Sequence, residues 1–250
     1  MKKYITLAAL LAAGTACANA AENAVTIEPL KDAGWTHISL RDRATWTQDV
    51  TNGTLTLNNS NWGQAVSTYD FATDSSLNSF SVDITRGSVS AGFMFTLVGT
   101  DSVVVVGTQS YGSGEIFYGT STDTNEAAYS LNTAWDEGTT VTPTSLLVDA
   151  LNYNATATVT GTTSVNDVGN TILTLSVTST TAGGNTGSAT IDLGKDFKLD
   201  KVMICGDGAN NATGIWTVSN LTISVPEPSA FGLLAGVGAL ALVASRRRRR

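Results

Sequence analysis

Between residues 21 and 225 apolar side chains return at every second position. Thr54-Leu55-Thr56-Leu57, Ser79-Phe80-Ser81-Val82-Asp83-Ile84 and Thr171-Ile172-Leu173-Thr174-Leu175-Ser176-Val177 alternate cleanly, and Trp216-Thr217-Val218-Ser219-Asn220-Leu221-Thr222-Ile223 resumes the pattern near the C-terminal tail. A period of two sends one set of side chains inward and leaves Thr, Ser and Asn toward water, which marks strands. Residues 91–98 and 103–106 are more continuously apolar, as strands covered on both faces should be. Asn52-Gly53, between two such runs, predicts a two-residue hairpin turn with positive φ at both positions. Gly, Asn and Asp cluster again at 112–114, 161–170, 183–187 and 206–211. About 14 strand candidates are too many for one open sheet and predict two packed layers. The body, residues 21–225, is therefore expected to be a single antiparallel all-β sandwich. One short helix is predicted at 125–135, where Ala127, Leu131 and Trp135 share a face. No fixed-period repeat is visible, which argues against solenoids.

Both ends break this pattern. Met1-Lys2-Lys3 precedes an apolar run over 4–13, and Ala18-Asn19-Ala20 follows. Lysines held in the cytoplasm, a short apolar helix and small residues before the cut are the parts of a signal peptide. Residues 1–20 are assigned to it, with Ala18 and Ala20 at the −3 and −1 positions read by signal peptidase. Cys17 follows Gly14-Thr15-Ala16 and lacks the preceding Leu of a lipidated cysteine.

At the other end Val225-Pro226-Glu227-Pro228-Ser229 leads into an uncharged, largely apolar stretch over 230–245 and then five arginines at 246–250. This order resembles the PEP-CTERM sorting signal of Gram-negative bacteria over about the last 26 residues. The resemblance implies that Pro226, Glu227 and Pro228 are the recognition motif of an exosortase, a membrane transpeptidase-like protease. It also implies residence in the envelope or at the cell surface after passage through the inner membrane. Terminal arginines resist translocation, so the C-terminus is expected inside and the body outside. Sixteen residues of helix reach about 24 Å, short of the ~30 Å hydrocarbon core. A transient transmembrane helix fits that length better than a permanent anchor.

Charge changes the picture of the body. The chain has 14 basic and 21 acidic residues, but seven of the basic ones lie at its two ends. The body is left with a net charge of −13. Nucleic acid is excluded as a partner, since its phosphates need clustered Lys and Arg. One His and two Cys exclude zinc clusters and a disulfide scaffold. After signal cleavage Cys205 is alone and reads as a small buried hydrophobe.

Strand number, body length and the C-terminal strand Gly214-Ile215-Trp216-Thr217-Val218-Ser219-Asn220-Leu221 resemble the concanavalin-like jelly rolls of legume lectins, laminin-G modules and some glycan hydrolases. The hydrolases of that fold carry a Glu-x-Asp-x-x-Glu strand. The nearest segment, Glu115-Ile116-Phe117-Tyr118-Gly119-Thr120, has Phe and Thr at the second and third acidic positions, so the carboxylate pair of glycoside hydrolysis is missing. His37 lacks a nucleophile elbow and reads as an outward strand residue. No enzyme is expected.

Two ligand readings remain. Aromatic faces stack on the C–H faces of sugars, and Trp62 and Trp135 in predicted loops would do so, whereas Trp216 belongs to the core. Calcium, if bound, would take oxygens from Asp207, Asn210 and Asn211, although Asx-rich loops also arise from turn chemistry alone. No other cofactor is expected. The leading expectation is an exported surface or matrix protein with a structural or adhesive β-sandwich, in contact with surface polysaccharide. A carbohydrate-binding module is the alternative. Hydrolase and ice-binding readings rank below these; Thr54-x-Thr56 and Thr156-x-Thr158-x-Thr160 hint at a threonine array, but 36 Thr in the body make short alternations common.

Overall fold

The computed structural model describes residues 24–40, 42–60, 63–87, 91–108, 114–122, 141, 143–180, 186–207 and 213–226. The expected signal peptide with Ala18 and Ala20, the helix predicted at 125–135, Trp62, Trp135, Asn210, Asn211, Glu227, Pro228, the transmembrane helix expected at 230–245 and the arginines lie outside these residues.

Among the described residues fifteen strands form two antiparallel sheets. They are β1 (Ala24–Ile27), β2 (Trp35–Leu40), β3 (Ala44–Asp49), β4 (Thr54–Ser60), β5 (Gln64–Ser75), β6 (Ser79–Arg86), β7 (Phe93–Gly99), β8 (Val103–Thr108), β9 (Ile116–Ser121), β10 (Thr144–Leu147), β11 (Thr156–Val165), β12 (Asn170–Ser179), β13 (Thr186–Lys195), β14 (Leu199–Asp207) and β15 (Thr213–Pro226). The eight-stranded sheet runs β13-β12-β11-β6-β15-β4-β3, with β1 pairing off this path. The seven-stranded sheet runs β10-β9-β8-β7-β14-β5-β2. The chain changes sheet repeatedly, so each sheet mixes strands distant in sequence. Thr26–Val225 forms one compact unit.

Alternation produces the core directly. Leu55 and Leu57, Phe80, Val82 and Ile84, Val159, Leu173 and Leu175 all turn inward from the first sheet. Phe93, Phe95, Leu97, Val104, Val106, Val202 and Ile204 meet them from the second. Phe80 packs on Phe95 at 5.4 Å and Phe93 on Trp216 at 5.0 Å, which fixes the two layers face to face. The continuously apolar runs become β7 and β8, buried at every position. Their second face joins Val66, Met94, Val98, Val103, Val105, Val141, Met203 and Cys205 in a separate cluster. Cys205 is buried, as its sequence context implied.

Two local expectations need correction. Asp49 pairs with Thr54, so the β3–β4 connection has four residues and not two. Only Gly53 has positive φ, at 63°. The Asp49 carboxylate accepts from the Asn52 backbone N–H at 3.0 Å and from its side chain at 2.6 Å, and this cap stabilises the longer turn. His37, expected outward, stands on the inward-facing side of β2 together with Trp35 and opposite Ser67 of β5. Edge strands β2 and β3 of the two sheets meet there, and the imidazole stacks on Trp46 at 4.9 Å. A polar ring can face inward at such a seam because it shares a 2.7 Å hydrogen bond with the Ser67 hydroxyl.

Candidate functional site

Pro226 is the last residue of β15, and β15 is an interior strand between β6 and β4. Val225 just before it belongs to the core. Proline has no N–H to extend the ladder, so the strand ends where the Pro-Glu-Pro sequence begins. No linker separates the first residue of the motif from the folded body.

A second feature is an open groove of about 800 Å³ at one end of the sandwich. The β7–β8 turn contributes Asp101 and Ser102, the end of β9 Thr120, Ser121 and Thr122, and the end of β13 Asp192, Gly194 and Lys195. Asp192 accepts from the Asn170 side chain at 2.8 Å and from the Gly194 N–H at 2.8 Å. Those bonds favour its ionised form, so its pKa lies below the ordinary aspartate value. Gly194 adopts φ of 82°, a left-handed conformation that costs glycine little. Hydroxyls, carboxylates and an ammonium line this groove together with Leu193. Sequence reasoning missed it because its parts come from three separate chain segments.

Asp207 ends β14, is 3% exposed, and accepts a short hydrogen bond from the Gly92 N–H. Among the described residues no three side chains of His, Cys, Asp or Glu gather as metal ligands. Glu115 precedes β9 and accepts a short hydrogen bond from the Ser145 hydroxyl. Trp35 is buried and donates its indole N–H to the Pro29 carbonyl at 2.8 Å, and Trp216 is wholly buried. Trp46 is half-buried against the core.

Arg86 is also buried, at the end of β6. It donates to the Leu151 carbonyl at 2.9 Å and lies 4.8 Å from the Tyr153 ring centre. Desolvation lowers its pKa, and the Tyr153 phenol acts in the opposite direction. This arrangement holds the 151–155 connection against the body.

Residues 224–249 match a family described as the PEP-CTERM protein-sorting motif. No curated protein matches the sequence. Among solved structures, an apo Crh5 transglycosylase is similar with a TM-score of 0.50 at 8% identity, over 82% of this chain and 85% of its own. A Bacillus licheniformis β-glucanase gives 0.48 at 11% identity, over 83% and 100%. A Bauhinia forficata lectin in complex with GalNAc gives 0.45 at 15%, over 82% and 99%. The body is an all-β sandwich of two antiparallel sheets, and identities this low speak to fold alone.

Proposed function

We propose that this chain is an exported envelope protein, handed to an exosortase by its C-terminal signal and displayed as a structural or adhesive β-sandwich. The PEP-CTERM motif implies exosortase processing and sorting to the envelope of a Gram-negative bacterium. The observation that carries the reading is the junction at Pro226: loss of the residues beyond it would leave intact the fifteen strands and both apolar clusters of the described residues. In the same reading the N-terminal residues are removed by signal peptidase and the inner membrane is a transient partner. The body is read as non-catalytic because the segment nearest the Glu-x-Asp-x-x-Glu pattern carries Phe117 and Thr120 at its second and third acidic positions. Pulse-labelled cells with and without an exosortase test the sorting step. The expected result is a shorter surface form only when the enzyme is present; an unchanged full-length surface form in both strains would sink it.

A second reading, a carbohydrate-binding module, is favoured by the groove around Asp192. Its volume lies within the usual range for small-ligand sites and its lining offers both donors and acceptors. On this reading Trp62 and Trp135 would add sugar-stacking surfaces, whereas Asp207, named with Asn210 and Asn211 for calcium, stands at the opposite end of β7 from the groove, beside Gly92. Glycan-array binding lost on Asp192→Ala, Trp62→Ala or Trp135→Ala with folding intact would establish it, and an array with no bound glycan would reject it.

A further inference from the structure

The β11–β12 hairpin runs past the end of the core, on the side where the chain leaves the body. Register sets Thr162 of β11 level with Ser79 of β6 and Ser224 of β15. Two residues further along each strand, Ser164 is level with Pro226. The β11–β12 ladder continues to Val165 and Thr171, and residues 166–169 turn the chain beyond them. Val165 has the parity of Ala157 and Val159, whose side chains face the core. It is nevertheless 72% exposed, and Val168 in the turn is 67% exposed.

The two valines are held in that position by an ordered turn. The Asn166 N–H donates to the Asn170 carbonyl and the Gly169 N–H to the Asn166 carbonyl, each at 3.0 Å. The Asn166 side-chain oxygen accepts from the N–H groups of Val168 and Asn170 at 3.1 and 2.9 Å. Gly169 supplies the positive φ, 86°. A turn already this constrained loses little conformational entropy when something covers it.

The length of chain leaving the body says what covers it. Only Pro226, Glu227, Pro228 and Ser229 separate Val225, in the core, from the uncharged apolar stretch that starts at Ala230. Fully extended, four residues reach about 13 Å, and any bend shortens that span. The hairpin projects about 10 Å beyond the level of Pro226, counting its turn as two or so residues of rise past Val165. The headgroup layer outside the hydrocarbon is about 5–7 Å thick. With the apolar stretch in a bilayer, the tip therefore reaches the headgroups, and Val165 and Val168 are the apolar side chains it brings there.

Charge selects the lipid. Asp167 stands in the turn, Asp101, Asp192 and Lys195 line the adjoining groove, and Asp196 and Lys198 follow in the β13–β14 connection. These carboxylates outnumber the ammoniums, so an anionic surface repels this end and a zwitterionic one does not. Two valines are too little apolar area to hold a free body on lipid. While the tail stays in the membrane the contact is intramolecular, and the tether supplies the effective concentration that a weak contact needs.

We propose that the β11–β12 tip seats the body, through Val165 and Val168, on the headgroup layer of a zwitterionic phospholipid bilayer for as long as the sorting tail is embedded. The contact turns one end of the sandwich toward the membrane and is lost when the tail is cut. The inference rests on the proposed reading of the tail as a membrane-borne sorting signal.

The test reconstitutes the full chain, carrying Cys17→Ser, in vesicles of phosphatidylcholine and phosphatidylethanolamine. One nitroxide at a time is placed on Val168→Cys, Val148→Cys or Ala235→Cys; Cys205 is buried out of reach of the reagent. Val148 is 55% exposed and follows β10, beside Ile116 at the other end of the sandwich. Relaxation of each label by oxygen and by an aqueous nickel chelate reads its depth. The expected oxygen-to-nickel ratio is several-fold higher at 168 than at 148, and Val165→Ser, whose fold circular dichroism checks, brings the 168 value most of the way down. Equal ratios at 168 and 148 with residue 235 deep in lipid would overturn the proposal and leave the sorting reading standing. A water-exposed residue 235 would overturn both. Labels at 168 that broaden one another equally in detergent and in vesicles would assign the tip to a second copy of the chain, and would overturn it as well.

Discussion

His37 shows how one side chain links packing to solution behaviour. Burial lowers its pKa below 6.5, so the unfolded chain binds the proton more readily than the folded one. Its contribution is complete above about pH 6.5 and declines as the pH falls through that value toward the folded pKa. Urea midpoints measured from about pH 7.5 down to pH 5 should fall with acidity, and His37→Phe should remove the share due to this group. Trp216 matters through volume. Wholly buried between the layers and packed on Phe93, it should cost about 3–5 kcal/mol when cut to alanine, read as a lower denaturation midpoint. The inward role of Trp216 is legible in the sequence because the alternation around it is strict. That of His37 is not: polarity alone points outward, and the seam between β2 and β3 that shelters it joins strands of different sheets.

Elements repeat that lesson on a larger scale. The fully buried β7 and β8 and the alternating β4, β6, β12 and β15 follow directly from local pattern. The β3–β4 hairpin is also legible, but its loop length is not, because the Asp49 cap stabilises four residues where Asn52-Gly53 alone indicates two. Gly53→Val should destabilise by about 1–2 kcal/mol, the cost of a left-handed conformation at a branched residue, and thermal unfolding would show it. The overhang of the β11–β12 hairpin and the Asp192 groove both depend on pairings between distant segments. Thr162, Ser79 and Ser224 become neighbours only through register, which composition does not encode.

At the scale of the whole molecule, the central claim is that a self-sufficient sandwich ends where a removable sorting signal begins. A chain stopped after Pro226 should retain its sheets and cooperative unfolding, because every described strand and both described apolar clusters lie within residues up to that point. A chain stopped after residue 212 should fail to fold, since it lacks β15, the strand that bridges β6 and β4. Circular dichroism of the two truncated proteins separates these outcomes. The most direct measurement is mass spectrometry of the C-terminal peptide from the protein at the cell surface. The account predicts a mature chain that contains Val225 and lacks the five terminal arginines; a surface protein that still carries Arg250, or one cut within β15, would contradict it.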